Sequence, residues 1–450
     1  MAGIEISRRT GNLRRAQIGA ATAVLLSLAA GGWTPAAASG PNIVAQWNKI
    51  AEDTVVATGA PQIEGFVYMS YTQTAVYDAL VAIDGTYQSF GPAFAAPAGA
   101  SRDAAVVEAA SETLAFYIPS SAGSVGAART TSLAAIPDGQ AKADGIAVGH
   151  QAAANIIALR TGDGRQLPIG STSSFPTKTP GPGVWRLTPP YLAPQTPWVG
   201  VMKPFVLPTA DRFLPPPPPT LSSPEWVAGV AEIKAMGQDT STQRTAAETA
   251  TAKFWTANAI RQDNRLARDI ASARSLGLLD TARLAAMVMV TDADAGIAVL
   301  NAKYHYLFWR PVTAIDPSSV TADGFGPVPG FDDGNAATVE QQGWRPLIVT
   351  PNHPEYPAAH GTITSSIDEV LTQFLGTTRI DIDIHGFDPN GAAGNLDAVH
   401  HFAKANDLRR EIIGARLWAG LHYRFSSEAG IDLGRSVAKY DLKHAFQPLR

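Results

Sequence analysis

The chain has no cysteine. That removes thiolate metal sites, disulfide cross-links and cysteine nucleophiles together. It has no basic surplus either: the formal net charge is −4 over 450 residues, whereas a nucleic-acid binder ordinarily carries a positive excess. Charged residues make up only 16% of the chain and hydrophobic ones 45%, enough apolar material for a large core. Long uninterrupted apolar runs are absent beyond the first forty residues. The best candidate, residues 284–300, is broken by Asp292 and Asp294, so no transmembrane segment is expected in the mature chain, which should be water-soluble. No stretch alternates apolar and polar residues in the manner of a half-buried strand.

What is present begins with a leader-like segment. Arg8, Arg9, Arg14 and Arg15 precede a short apolar run, Ala16 to Ala30, and Ala36-Ala37-Ala38 offers small residues for a signal peptidase. Ser7-Arg8-Arg9 resembles a twin-arginine signal, while Gly11 and Asn12 depart from the apolar residues expected next. Residues 1–40 are therefore read as a signal peptide and the protein as exported, periplasmic or extracellular.

The remainder reads as helices. Residues 43–58, 67–83, 104–116 and 144–159 carry apolar side chains at three- and four-residue spacing. Residues 162–219 are rich in Gly, Pro, Ser and Thr and end in five prolines at 215–219. A flexible linker is one reading, but Trp185, Tyr191, Trp198 and Phe205 interrupt it, and solvated linkers seldom carry aromatics. An ordered wrap over the helices is preferred. Helices resume at 224–236, where Ser223 can cap and Pro224 can open the first turn, and continue at 246–260, 263–276 and 280–309, the last with a candidate division near Gly296. Residues 316–357 form a second Gly/Pro-rich loop, then helices are expected at 362–374, 396–421 and after Gly430. The fold class is all-α: two four-helix-bundle-like halves in one compact unit with long ordered Pro/Gly-rich loops. The first half spans 41–222 and the second 223–450.

Three elements can carry chemistry. Lys303 and Arg310 lie seven residues apart, close to two helical turns and hence on one face if the helix continues. A solvated basic face is the ordinary explanation of such a pair. Here the neighbours Tyr304, Tyr306, Leu307, Phe308 and Trp309 are aromatic or apolar, and cations in such company need an anion. The second element is His353-Pro354-Glu355-Tyr356-Pro357-Ala358-Ala359-His360-Gly361-Thr362. Its prolines forbid one helix through both histidines. A helix starting at about Thr362 would offer free amides to an anion, with His360 at its lip; alone, His360 could equally be a packed loop residue. The third is Arg416-Leu417-Trp418-Ala419-Gly420-Leu421-His422. Six residues is not one helical face, so either Arg416 reaches round or the helix ends before His422. Together these elements supply two arginines, a lysine, helix-start amides and two histidines, the set that a tetrahedral oxyanion requires.

Lys-x6-Arg-Pro, a Pro-x-x-His loop and Arg-x5-His, in that order, resemble the superfamily of type 2 phosphatidic acid phosphatases and vanadium-dependent haloperoxidases. Ala293-Asp294-Ala295-Gly296, Phe308-Trp309-Arg310-Pro311, His353-Pro354-Glu355-Tyr356-Pro357, His422-Tyr423-Arg424-Phe425 and the early Ala75-Val76-Tyr77-Asp78-Ala79 resemble its exported bacterial haloperoxidase branch. The resemblance implies vanadate as cofactor, with His422 its axial ligand and Lys303, Arg310, Arg416 and the Ala359 amide on its oxygens. His360 would be general acid–base and Lys303 would polarise bound peroxide. Hydrogen peroxide and halide would be the substrates, with bromide or iodide expected ahead of chloride, giving hypohalous acid. The alternative within the superfamily is a soluble acid phosphatase with phosphate in the pocket, a phosphate monoester as substrate and a phosphohistidine at His422. A third reading is a degenerate, non-catalytic oxyanion-binding protein.

Two departures from the superfamily pattern matter. Ala358 stands where a serine is usual, and Ser426 stands where an acid commonly follows the last histidine by four residues. His353 falls where the superfamily varies, which makes it a candidate for tuning halide choice or proton supply. His305, His385, His400, His401 and His444 have no motif context and are read as surface or packing residues. Asp292 and Asp294 are read as structural, with Arg416 a candidate partner. No nucleic-acid partner is expected.

Overall fold

The computed structural model describes residues 42–165, 178–188, 190–316, 333–386 and 398–449. The leader expected at 1–40 lies outside them. Thirteen α-helices and a two-stranded sheet form the described residues: α1 (Ile43–Ala57), α2 (Gln62–Asp84), α3 (Arg102–Tyr117), α4 (Ala122–Ala134), α5 (Gln140–Leu159), α6 (Pro224–Met236), α7 (Ala246–Phe254), α8 (Ala259–Ala273), α9 (Leu278–Tyr306), α10 (Pro311–Ile315), α11 (Ala359–Leu375), β1 (Ile382–His385), β2 (Val399–Phe402), α12 (Ala405–Trp418) and α13 (Arg424–His444). The all-α expectation holds.

Local chemistry explains most helix starts. Asn42 caps α1 through its side chain, Ser101 caps α3, and Ser223 caps α6 with Pro224 behind it. Thr245 and Glu248 form a reciprocal capping box on α7. A short break at 255–258 divides what the sequence pattern joined over 246–260, and Asn258 caps α8 there. Two helices were not anticipated: the short α10 after Arg310, and α4, whose Gly- and Thr-containing stretch buries only Val125 and Leu133.

Helices α1, α2, α3 and α5 pack on one another as a first bundle, and α9, α11, α12 and α13 as a second. Helix α9 is the shared spine, lying against α2 on one side and α8, α11 and α13 on the other. It runs unbroken through Gly296, contrary to the division considered there; the glycine instead makes room for Ile63. It is also the one helix among the described residues long and apolar enough to cross a membrane, yet 94% of its most apolar window is buried inside the protein. Neighbouring helices therefore supply the apolar surroundings that such composition needs.

The described part of the Pro-rich segment is an ordered wrap. Trp198 is fully buried, Trp185 nearly so, and Gly200 lies against the backbone of Leu300 and Asn301. Asp294 accepts the amides of Phe205, Val206 and Leu207 at 2.6–2.9 Å, so it fastens this wrap to α9 and does not pair with Arg416. Tyr306 and Tyr356 donate their hydroxyls to the carbonyls of Pro215 and Pro216.

Helix 396–421 is corrected at its start. Val399–Phe402 is a strand, paired antiparallel with Ile382–His385 in the register Ile382↔Phe402 and Ile384↔His400. The alternation in Ile382-Asp383-Ile384-His385 was the missed signal: its two isoleucines are buried and Asp383 is exposed.

Candidate oxyanion site

Lys303 sits in the last turn of α9, and Leu307 ends that helix in the left-handed region at φ 52°. Arg310 is therefore not on the same helical face. It occupies the extended N-cap of α10, and Pro311 opens that helix. The two cations meet instead through the 353–355 loop. Lys303 Nζ donates to the carbonyls of Pro354 and Glu355, both at 2.9 Å. Arg310 Nε donates to the His353 carbonyl at 2.9 Å, and Nη1 to that of Leu421 at 2.9 Å.

The third cation comes from α12, which ends at Trp418, before His422. Of the two geometries left open for Arg-x5-His, this is the second. Arg416 Nη1 reaches the Trp255 carbonyl at 3.3 Å, and its Nε is buried without a partner. The same Trp255 backbone bonds the His360 imidazole. Helix α11 starts at Ala359, three residues earlier than expected, with no side-chain cap. Its first amides, including that of Ala359, thus open onto the region of His360.

His422 is oriented by a group that sequence reasoning passed over. Arg310 Nη1 lies 3.1 Å from His422 Nε2. A guanidinium can only donate, so Nε2 accepts and the ring proton belongs on Nδ1. Nδ1 then donates to Glu355 Oε1 at 3.0 Å, an oxygen that also accepts the Tyr423 amide at 3.1 Å. Glu355 supplies the carboxylate that position 426, a serine here, does not. Ser426 Oγ donates at 3.4 Å to the Glu355 carbonyl and is the smallest of the influences that lower the Glu355 carboxyl. A lone acid between two prolines in an aromatic loop was the available signal, since a buried acid there must find a cation or a donor.

The electrostatics are those of an anion site. Lys303, Arg310, Arg416 and His422 are each at most 2% exposed. Burial, reinforced by Arg310, pushes Lys303 well below the usual ammonium range. Arg310 falls to about 10 through burial, and Arg416 to about 9 through burial and the neighbouring Arg310. His353, His360 and His422 are all held well below the usual imidazole range, first by burial and then by these cations. The one carboxylate among them, Glu355, is pushed up to about 7 by burial against the pull of Lys303 and Arg310. Three buried cations thus face a single acid, and one further anion would relieve the imbalance.

A cavity of about 280 Å³ leads to this cluster and is lined by His353, Ala359, His360, Arg416 and Leu421 among others. Lys303, Arg310 and His422 lie behind that wall. His353 is more than a wall residue: its Nδ1 accepts from Arg310 Nη2 at 2.9 Å, so it fixes the guanidinium from ring and carbonyl together. All seven residues anticipated for the site, Lys303, Arg310, His353, Ala359, His360, Arg416 and His422, converge here. The other histidines do not. His400 stacks on Phe254 and bonds Glu411, His401 bonds Asp383, and His444 bonds the Tyr440 carbonyl. His305 meets Tyr306 edge-on, and His385 approaches Asp269.

Residues 283–450 match the family model described as the VCPO second helical-bundle domain. Over nearly the whole fold, a crystal structure titled as the first bacterial vanadium-dependent iodoperoxidase superposes with a TM-score of 0.73. It is 21% identical and covers 91% of this chain and 97% of that one. This chain has the vanadium haloperoxidase fold. A holo-type bacterial vanadium-dependent chloroperoxidase superposes with a TM-score of 0.62 at 16% identity, covering 88% and 93% of the two chains. In sequence, the vanadium chloroperoxidase of Curvularia inaequalis is 25% identical over 186 residues, which is 34% of this chain and 29% of that protein. The resemblance drawn from the three motifs therefore holds, and the all-helical architecture is that of the vanadium haloperoxidase fold.

Proposed function

We propose that this chain is an exported, vanadium-dependent haloperoxidase-like enzyme that oxidises bromide or iodide to hypohalous acid with hydrogen peroxide. The observation that carries the reading is His422 held between Arg310 and Glu355 within a cluster of three buried cations. The donors fit vanadate: Arg416 Nε is an orphaned buried N–H, α11 opens without a side-chain cap, and the cluster has a surplus of positive charge. Vanadate, when bound, supplies Lewis-acid activation of peroxide toward halide with no change in its own oxidation state.

The residues divide the work. His422 would hold vanadate through Nε2, because Glu355 keeps the proton on Nδ1. Its bond from Arg310 Nη1 would then pass to the anion. Lys303 spends two N–H groups on carbonyls; a bound anion would favour its ammonium form, whose third N–H would then polarise peroxide. Arg310, Arg416 and the Ala359 amide would help hold the anion's oxygens. His360, a neutral imidazole at the α11 start, would serve as the general acid–base beside the bound anion. His353 would act on halide choice through its grip on Arg310 and its place on the cavity wall. The signal at 1–40 and the division of the remainder at 222/223 belong to the same proposal.

The test is to load the purified protein with orthovanadate and follow bromination of a cyclic 1,3-diketone with peroxide. Halide oxidation that disappears in His422→Ala supports the reading. Hydrolysis of an aryl phosphate with no oxidation of bromide or iodide would replace it with the phosphatase. Tight vanadate binding with neither reaction would leave an oxyanion-binding protein.

A further inference from the structure

The C-terminal end of α7 reaches the oxyanion site through one residue, and a carboxylate outside the site holds that residue. Trp255 is the C-cap of α7 and is buried on the cavity wall. The last carbonyls of a helix have no partner within it and carry its partial negative charge. That of Trp255 is spent on the site: it accepts from Arg416 Nη1 at 3.3 Å and from the His360 imidazole. A carbonyl can only accept, so the His360 nitrogen that meets it carries the ring proton. In the neutral ring the other nitrogen keeps its lone pair, as a general base requires.

The side chain of Trp255 is fixed by α12. Its indole Nε1, which can only donate, bonds Glu411 Oε1 at 2.9 Å. His400 Nδ1, on β2, donates to the same carboxylate oxygen at 2.6 Å. The His400 ring stacks on Phe254, the residue before Trp255, with centroids 3.8 Å apart and planes within 4°. Glu411 thus grips two consecutive aromatic residues, Trp255 directly and Phe254 by way of His400. Glu411 and Arg416 share α12, five residues or about 7.5 Å apart along its axis. Helix α12 therefore holds Trp255 twice, by side chain and by carbonyl.

We propose that Glu411 is a positioning residue for the oxyanion site: it anchors the Trp255 indole, and the anchored Trp255 carbonyl fixes the His360 tautomer and the Arg416 guanidinium. Glu411 is not on the cavity wall and touches neither cation nor imidazole of the cluster, so its influence passes through Trp255. Without the indole bond, the C-cap of α7 can turn and its carbonyl can leave both donors. The His360 proton is then free to sit on either nitrogen, and Arg416 loses the acceptor that aims it. The inference rests on the haloperoxidase reading for the general acid–base role of His360, where the choice of nitrogen decides which one exchanges a proton.

The test is nitrogen–proton correlation NMR of the imidazoles in isotope-labelled protein, with the His360 signals identified by their loss in His360→Gln. The wild type should show one protonated and one bare His360 nitrogen. Glu411→Leu and Trp255→Phe each remove the indole bond. Both should move the two shifts toward the average of the tautomers and weaken orthovanadate binding roughly tenfold in calorimetry, the low end for an orienting partner. Glu411→Gln keeps an acceptor for the indole and should retain the wild-type shifts and affinity. Because the two residues act in series, Glu411→Leu combined with Trp255→Phe should lose no more than either alone. His360 shifts or orthovanadate affinity unmoved in both single variants, or losses that add in the double variant, overturn the positioning role. Should Glu411→Leu not fold, Trp255→Phe decides by the same shifts and affinity. Halide oxidation by the wild type with His360 unmoved in the variants removes the positioning role alone. A His360 tautomer that depends on Glu411 in a protein that oxidises no halide upholds it and removes the haloperoxidase reading.

Discussion

At the residue scale, the organising group is Glu355. It spans the site by both its ends: the carboxylate accepts hydrogen bonds from His422 Nδ1 and the Tyr423 amide, and the carbonyl accepts one from Lys303 Nζ. A single side chain thereby fixes the tautomer of the candidate ligand. Substitutions of such orienting partners commonly cost 10–100-fold in ligand affinity. Glu355→Gln is accordingly expected to weaken tungstate or orthovanadate binding by roughly 10–100-fold, measured by calorimetry. Ser426→Ala should change it less, because its bond to the Glu355 carbonyl is long at 3.4 Å and its effect on the Glu355 carboxyl is smaller than those of Lys303, Arg310 and the Tyr423 amide. Equal losses in the two variants would mean that the orientation of His422 depends on the loop as a whole and not on the carboxylate.

At the element scale, the start of α11 depends on how closely α13 approaches it. A Cβ at Gly430 would collide with the Ala358 carbonyl, and one at Gly434 with that of Thr362. A Cβ at Gly361 would stand 2.7 Å from the Ser427 carbonyl in return. The two helices interlock through these absent side chains, and the contact sets where the Ala359 amide and His360 stand. Gly434→Ala should therefore cost about 1–3 kcal/mol of stability, as overpacking does, in denaturant unfolding. It should also lower oxyanion affinity although residue 434 never reaches the cavity. Loss of stability with fully retained affinity would show that the α11 start is held by the Ala358–Ser426 backbone bond alone.

At the scale of the whole molecule, the core stores several buried acids, and this shapes the response to pH. Asp441 on α13 is fully buried with neither carboxylate oxygen partnered, and burial together with Asp294 pushes it well above the carboxylate range. The folded state then holds a proton that the unfolded chain releases from about pH 4 upward. The Asp441 contribution to stability consequently declines as pH rises from about 4 until the folded-state value is passed. Asp441→Asn should be more stable than the wild type by about 1–3 kcal/mol at pH 7.5, with the difference shrinking toward pH 4.5. Chemical unfolding at the two pH values checks this, and a constant difference would place the proton elsewhere.

The amino-acid sequence determined which residues could hold an oxyanion and that helices would carry them. Three-to-four periodicity, Ser223-Pro224 and the residue types of the three motifs are local properties, and local chemistry is legible along a chain. Other features were decided only by tertiary structure. Lys303 and Arg310 converge through carbonyls of a loop about fifty residues away rather than through a shared helical face, since a left-handed Leu307 ends the helix between them. Asp294 fastens the wrap and not Arg416, because its oxygens meet amides brought there by the Pro-rich segment. The carboxylate behind His422 comes from Glu355, 67 residues earlier, and not from position 426. Partners of a buried charge are chosen by proximity after packing, and no spacing in the sequence encodes that distance.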